Sequence, residues 1–133
     1  GSFDVVVCRV AVHHFSEPAR AVAEMARVTR RLVVLEDTLW VDERVHRAEK
    51  LRDASHVRQY TREELVAMTE AAGLRVLREA RFAKRHAMAD WLSGTGCRGA
   101  RAEKVRRLLA HVAEQGGSAW TDAKWVVQTA KRP

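Results

Sequence analysis

The sequence predicts an α/β domain built on a mainly parallel sheet, and three features carry that prediction. Phe3 to Val12 reads FDVVVCRVAV, a valine-rich apolar run of the kind found in strands covered on both faces. An alanine-rich stretch with helical spacing follows, and then a second short apolar run, LVVL from Leu32 to Leu35. Together they occupy about the length of one strand, crossover helix and parallel strand.

The helix between the two runs is expected from Pro18 to Thr29. Ser16 is placed to cap it, Pro18 suits its first turn, and Ala21, Val22, Met25 and Val28 form its inward stripe. Arg30 and Arg31 then stand at the favourable pole of its dipole. A polar helical pattern runs from Asp42 to Arg58. Thr61 opens a further helix, with Glu64 completing a capping box and Gly73 stopping it. Leu74 to Phe82 alternates like a strand with one wet face, and Met88 to Trp91 reads as a short helix. Arg101 to Glu114 is amphipathic, with Val105, Leu108, Leu109 and Val112 inward and Gly116 and Gly117 at its end. Trp120 to Thr129 closes the chain as a strand.

The tally is about four strands alternating with helices, in a single domain from residue 3 to 133 after a Gly1-Ser2 cloning remnant. At 133 residues, with 47% hydrophobic and 31% charged side chains, the chain supports one core. No internal repeat or low-complexity tract divides it. No apolar run reaches the ~20 residues of a membrane span and no signal peptide opens the chain, so a soluble, cytoplasmic protein is expected. Cys8 and Cys97 are too few for a disulfide framework and are expected as reduced thiols. The net charge of +7 permits contact with nucleic acid, but the basic residues interleave with acids as on solvated helix faces, without an aromatic-interleaved basic stripe. Nucleic acid is the weakest of the partner classes.

The first strand raises a difficulty. A segment as apolar as VVVC belongs inside a sheet, and nothing before it in the chain can pair with its other edge.

The segments FDVVVCRVAVHHF, the alanine-rich helix and RLVVLED resemble the second half of a class I S-adenosylmethionine-dependent methyltransferase of the small-molecule, quinone-biosynthesis type. The stretch EKLRDASHVRQYTREELVAMTEAAGLRV is similar to the region between the fifth and sixth strands of a bacterial subgroup. The resemblance covers nearly all of residues 3 to 130. It implies a partial Rossmann-like methyltransferase sheet, mainly parallel with an antiparallel C-terminal strand and flanked by helices, that lacks the N-terminal three strands. With those strands go the glycine-rich turn and the acidic residue that hold the cofactor in the family, so the expectation is a truncated chain, inactive alone. Gly94 to Gly99 fits G-x-G-x-x-G, but it follows MADWLS rather than a strand and reads as a loop.

By that resemblance Cys8, Arg9 and Val10 would pass beside the cofactor's methionine end, and His13 and His14 would open the substrate side. A histidine there could take a proton from the acceptor, or could equally pack or cap the next helix. Glu36 and Asp37 end the second strand, where α/β sheets place ligands. Asp53, Ser55, His56 and Arg58 form a second polar cluster, read either as a substrate-facing lid or as a plain turn; Asp37, Asp53, His56 and Arg58 are the substrate-binding candidates. No pair of His, Cys, Asp or Glu has metal-ligand spacing, and no metal is expected. Trp40, Trp91, Trp120 and Trp125 would line an acceptor pocket or, for most of them, pack the core. The functional expectation is a small-molecule methyltransferase using S-adenosylmethionine. The alternative is a non-enzymatic interaction module in which the first-strand edge recruits a second copy or a missing N-terminal half.

Overall fold

A computed structural model describes residues 1 to 133. Five strands form one sheet: β1 Phe3–Arg9, β2 Thr29–Thr38, β3 Leu74–Ala87, β4 Ala113–Glu114 and β5 Ala119–Lys131. Five helices surround it: α1 Pro18–Val28, α2 Glu43–Arg52, α3 Arg62–Ala71, α4 Met88–Ser93 and α5 Gly99–Leu108. The sheet order is β1-β2-β5-β3, with the short β4 on β5. β1 and β2 run parallel, whereas β5 lies antiparallel to both β2 and β3. β1, β2, β3 and the two-residue β4 therefore share one direction and only the C-terminal strand β5 departs from it, the α/β arrangement the sequence predicts. No helix is long and apolar enough to cross a membrane.

Alternation decides which side chains meet. Cys8 on β1, Val33 and Leu35 on β2, and Trp125 and Val127 on β5 point to one face, where Val22 and Ala26 of α1 and Leu65 of α3 cover them. A second cluster lies around Trp120, with Val45, Met88, Trp91, Val105 and Leu109 drawn from α2, α4 and α5. Arg44 reaches from α2 to the Arg107 carbonyl, which ties these helices into one cap.

Several sequence expectations shift. β1 is an edge strand covered on one face only, and Phe3, Val5 and Val7 are exposed, because no element of these 133 residues lies over that side. Glu17 rather than Ser16 is the N-cap of α1, with no side-chain bond, since Pro18 already supplies a first residue that needs no partner for its nitrogen. The helix stops at Val28, and Arg30 and Arg31 belong to β2. On α1 the fully buried pair is Val22 and Ala26. Beyond Val76, β3 is exposed on both faces almost to its end. The Gly94 to Gly99 segment, by contrast, is as the sequence predicts: it joins α4 to α5, a helix-to-helix turn and not a strand-to-helix phosphate cradle.

The capping box at Thr61 forms as the sequence requires. Thr61 Oγ1 accepts from the Glu64 N–H at 3.1 Å, and Glu64 returns a bond to the Thr61 N–H at 3.2 Å. Gly73, at φ 78°, then breaks the helix where a side chain would be strained. Thr61→Ala is expected to lower stability by about 1 kcal/mol in urea unfolding while Thr61→Ser restores it.

Candidate functional site

The β3–β5 pair is longer than the sheet beneath it. β2 accompanies β5 only as far as Thr38 opposite Lys124, whereas β3 continues with β5 through His86 opposite Trp120. A two-stranded ribbon therefore projects past the ends of β1 and β2, and α2 and α4 pack on it. Between ribbon, strand ends and α2 lies a cleft of about 310 Å³, walled by Arg9, Val10 and His13 on one side and by Phe82, Lys84 and His86 on the other.

The strand-end wall is strained. Val10 has φ 49°, in the left-handed region that a β-branched residue enters only at a cost of about 1–3 kcal/mol. Its N–H is fixed on the Glu36 carbonyl at 2.7 Å. Three residues on, His13 gives both its backbone N–H (3.0 Å, Oδ2) and its ring Nδ1–H (2.7 Å, Oδ1) to Asp37 at the end of β2. That carboxylate also accepts from the Thr38 N–H at 2.7 Å. The His13 ring is thus locked in one tautomer, and its other nitrogen, Nε2, has no partner.

The ribbon wall holds a second histidine-carboxylate pair. His86 Nε2 lies 2.8 Å from Asp122 Oδ2, which also receives the Lys124 ammonium at 2.9 Å. Lys124 bonds Thr38 as well, tying ribbon to β2. Burial pushes the Asp122 carboxyl upward, but the bonds from His86 and Lys124 outweigh it and hold the group below its usual range, ionised at neutral pH. Deeper in, Glu49 of α2 is buried beside Arg52 and Gln59, and desolvation raises its carboxyl.

Arg9, Val10 and His13 of the sequence-predicted residues reach the cleft, and Asp37 acts from behind His13 rather than facing a ligand itself. Cys8 points into the core, where burial first and the Asp37 charge second raise its thiol, so only its backbone remains for a ligand. His14 turns away and bonds the Ser55 carbonyl at 3.0 Å. Asp53 spends its carboxylate on Ser55, at 2.6 Å from Oγ. Arg58 stacks on Trp40 and Tyr60 and pairs with Glu64. The segment from Asp53 to Arg58 is therefore a clasp, held to the His13 carbonyl by the Val57 and Arg58 N–H groups. Sequence reasoning missed His86, Asp122 and Lys124, although alternating polar letters in the otherwise apolar β5 were a readable signal. No group of three His, Cys, Asp or Glu side chains is placed to hold a metal ion.

Comparisons with known proteins agree with this fold. A family model described as a methyltransferase domain matches residues 1–35. YcgJ of Bacillus subtilis, an uncharacterised methyltransferase, is 42% identical over an alignment of 78 residues that covers 53% of this chain and 30% of that protein. The crystal structure of YcgJ superposes with a TM-score of 0.79 at 27% identity, covering 99% of this chain and 65% of that one. BH2331 of Bacillus halodurans C-125, assigned as a methyltransferase, gives a TM-score of 0.83 at 23% identity over 99% of this chain and 70% of its own. The magnesium protoporphyrin IX methyltransferase of Synechocystis, solved with S-adenosylhomocysteine bound, shares the fold at a TM-score of 0.53 and 9% identity, over 99% of this chain and 46% of that one. The sequence match to YcgJ thus spans less than a third of that protein's length.

His56 provides a measurable consequence. Its ring lies 5.4 Å from that of His13 and 5.8 Å from that of His46, and its Nε2 is buried without a partner. Burial, with the neighbouring histidines second, lowers it from 6.5 to about 4. The folded state resists a proton that the unfolded chain accepts, so stability is full above pH ~6.5 and declines as pH falls toward 4. After allowance for solvent screening the loss is about 2 kcal/mol, and urea titrations across this range should show His56→Asn abolishing most of it.

Proposed function

The chain is related by sequence and by fold to the class I S-adenosylmethionine-dependent methyltransferases, and on that premise we propose that the protein containing it methylates a small-molecule acceptor. The observation that carries the reading is the pairing of strained Val10 with the His13–Asp37 dyad on one cleft wall.

The residues present fit one end of the cofactor. The Val10 carbonyl accepts no hydrogen bond within the chain, and a free carbonyl on a strained strand end suits an ammonium donor such as the one on a methionine moiety. Arg9 is occupied by Glu36 at 2.9 Å, which fixes the rim of that wall. No glycine lines the cleft, so the phosphate-loop style of backbone cradle is not built from these residues. We assign the remaining cofactor contacts to residues outside these 133, and regard the chain alone as inactive. When bound, S-adenosylmethionine supplies an electrophilic methyl group on sulfur, with a neutral leaving group. His13 Nε2 is placed to accept the proton of an oxygen, nitrogen or activated carbon nucleophile, and Asp37 keeps that nitrogen the unprotonated one and stabilises the imidazolium that forms.

A second reading is favoured by the exposed Phe3, Val5 and Val7 and by the unpaired edge of β1. That edge joins a strand of a second copy or of a missing N-terminal half, in line with strand addition. Where the partner is a second copy, light scattering should report a species larger than 15.0 kDa, and a monodisperse monomer removes that form of the reading.

For the methyltransferase reading, amide-resolved NMR with S-adenosylhomocysteine should shift Arg9, Val10 and His13, with a Kd weaker than about 100 μM. Shifts confined elsewhere, or none at about 5 mM, remove the cofactor assignment, whereas micromolar affinity removes the need for residues beyond these.

A further inference from the structure

The face of β3 turned to the cleft carries Phe82, Lys84 and His86 at every second position, roughly 7 Å from one to the next. Across the ladder they stand opposite Lys124, Asp122 and Trp120. Phe82 is 44% exposed, an aromatic surface open beside the cleft. Lys84 has no carboxylate oxygen within 4.0 Å, whereas Arg9, Arg52 and Lys124 are each paired. His86 is stacked on Trp120 and held by Asp122 through Nε2, so its Nδ1 is without a partner.

Beneath them Asp122 is 4% exposed, and its Oδ1 is buried with no hydrogen bond. Two ammonium groups, Lys84 and Lys124, face this single carboxylate, so the wall carries one positive charge in excess. The order along the ladder is then aromatic surface, free cation, free ring nitrogen.

We propose that this ladder is the acceptor-recognition wall and that the acceptor is an aromatic carboxylate with an O–H or N–H group beside the carboxylate. The ring lies on Phe82, the carboxylate meets Lys84, and the O–H or N–H donates to His86 Nδ1 as an orienting hydrogen bond, separate from the proton that His13 Nε2 takes from the atom to be methylated. Asp122 is a positioning residue that holds the His86 tautomer, and Lys124 keeps Asp122 charged. The inference rests on the methyltransferase reading only in calling this ligand an acceptor, and its test measures binding without any cofactor.

Anthranilate is the probe, because one of its two N–H hydrogens stays free of the internal bond to its own carboxylate. Benzoate lacks the donor and aniline lacks the carboxylate. In NMR titrations of the 133-residue chain, anthranilate should bind about fivefold or more tightly than either. Lys84→Met should erase its advantage over aniline and keep that over benzoate; His86→Phe, which retains a ring against Trp120, should do the reverse. Equal weakening of all three ligands by either variant overturns the proposal, as does anthranilate binding no tighter than the controls or not at all at about 10 mM. If anthranilate behaves as expected while S-adenosylhomocysteine leaves Val10 unmoved, the ladder stands and the cofactor assignment falls.

Discussion

β5 runs between β2 and β3 and bonds to both, from Leu32 opposite Ala130 to Thr38 opposite Lys124 on one side and from Leu74 to Ala87 on the other. A strand paired along both edges has no free backbone groups, and its alternate side chains are committed to opposite faces. Trp125, Val127 and Thr129 are thereby sent into the core beneath α1 and α3, and Trp120, Asp122 and Lys124 to the other face. The register leaves no latitude, since a slip by one residue would carry Lys124 and Gln128 under α1 and α3 and turn Trp125 out of that core.

The same pairing explains why charged groups survive inside. Lys124 and Asp122 are almost fully buried, and removing two ions from water costs several kcal/mol each unless they are bonded to one another and to further partners. Here Thr38 and His86 supply those partners. The His13–Asp37 pair follows the same rule, with three N–H groups on one carboxylate. Two histidines far apart in the sequence are thus each oriented by an aspartate on a neighbouring strand, and each keeps one ring nitrogen free.

Much of this was legible in the sequence because it is local. The valine run of β1, the crossover helix, the Thr61–Glu64 box and the Gly73 stop depend on neighbours within a few residues, and they stand where the residues place them. Arg9, Val10 and His13 reached the cleft for the same reason, as they end a strand. What was not legible is long-range. Period-two alternation shows that a segment is a strand but not which strand it lies beside, so the insertion of β5, and with it the meeting of His86 with Asp122, had no sequence signature. The cluster from Asp53 to Arg58 misled in the opposite direction. Its polar letters suggest chemistry, yet most of their hydrogen bonds go to one another and to the backbone, where Ser and Asp so often find partners.

The ribbon that overhangs the strand ends is supported by the helical cap around Trp120 and stands apart from the layer beneath α1 and α3. Its outward letters can change without disturbing the valines and leucines that make the domain fold. The surface of the ribbon and the packing that makes the domain fold are in this way carried by different parts of the chain, so that one can vary while the other is kept.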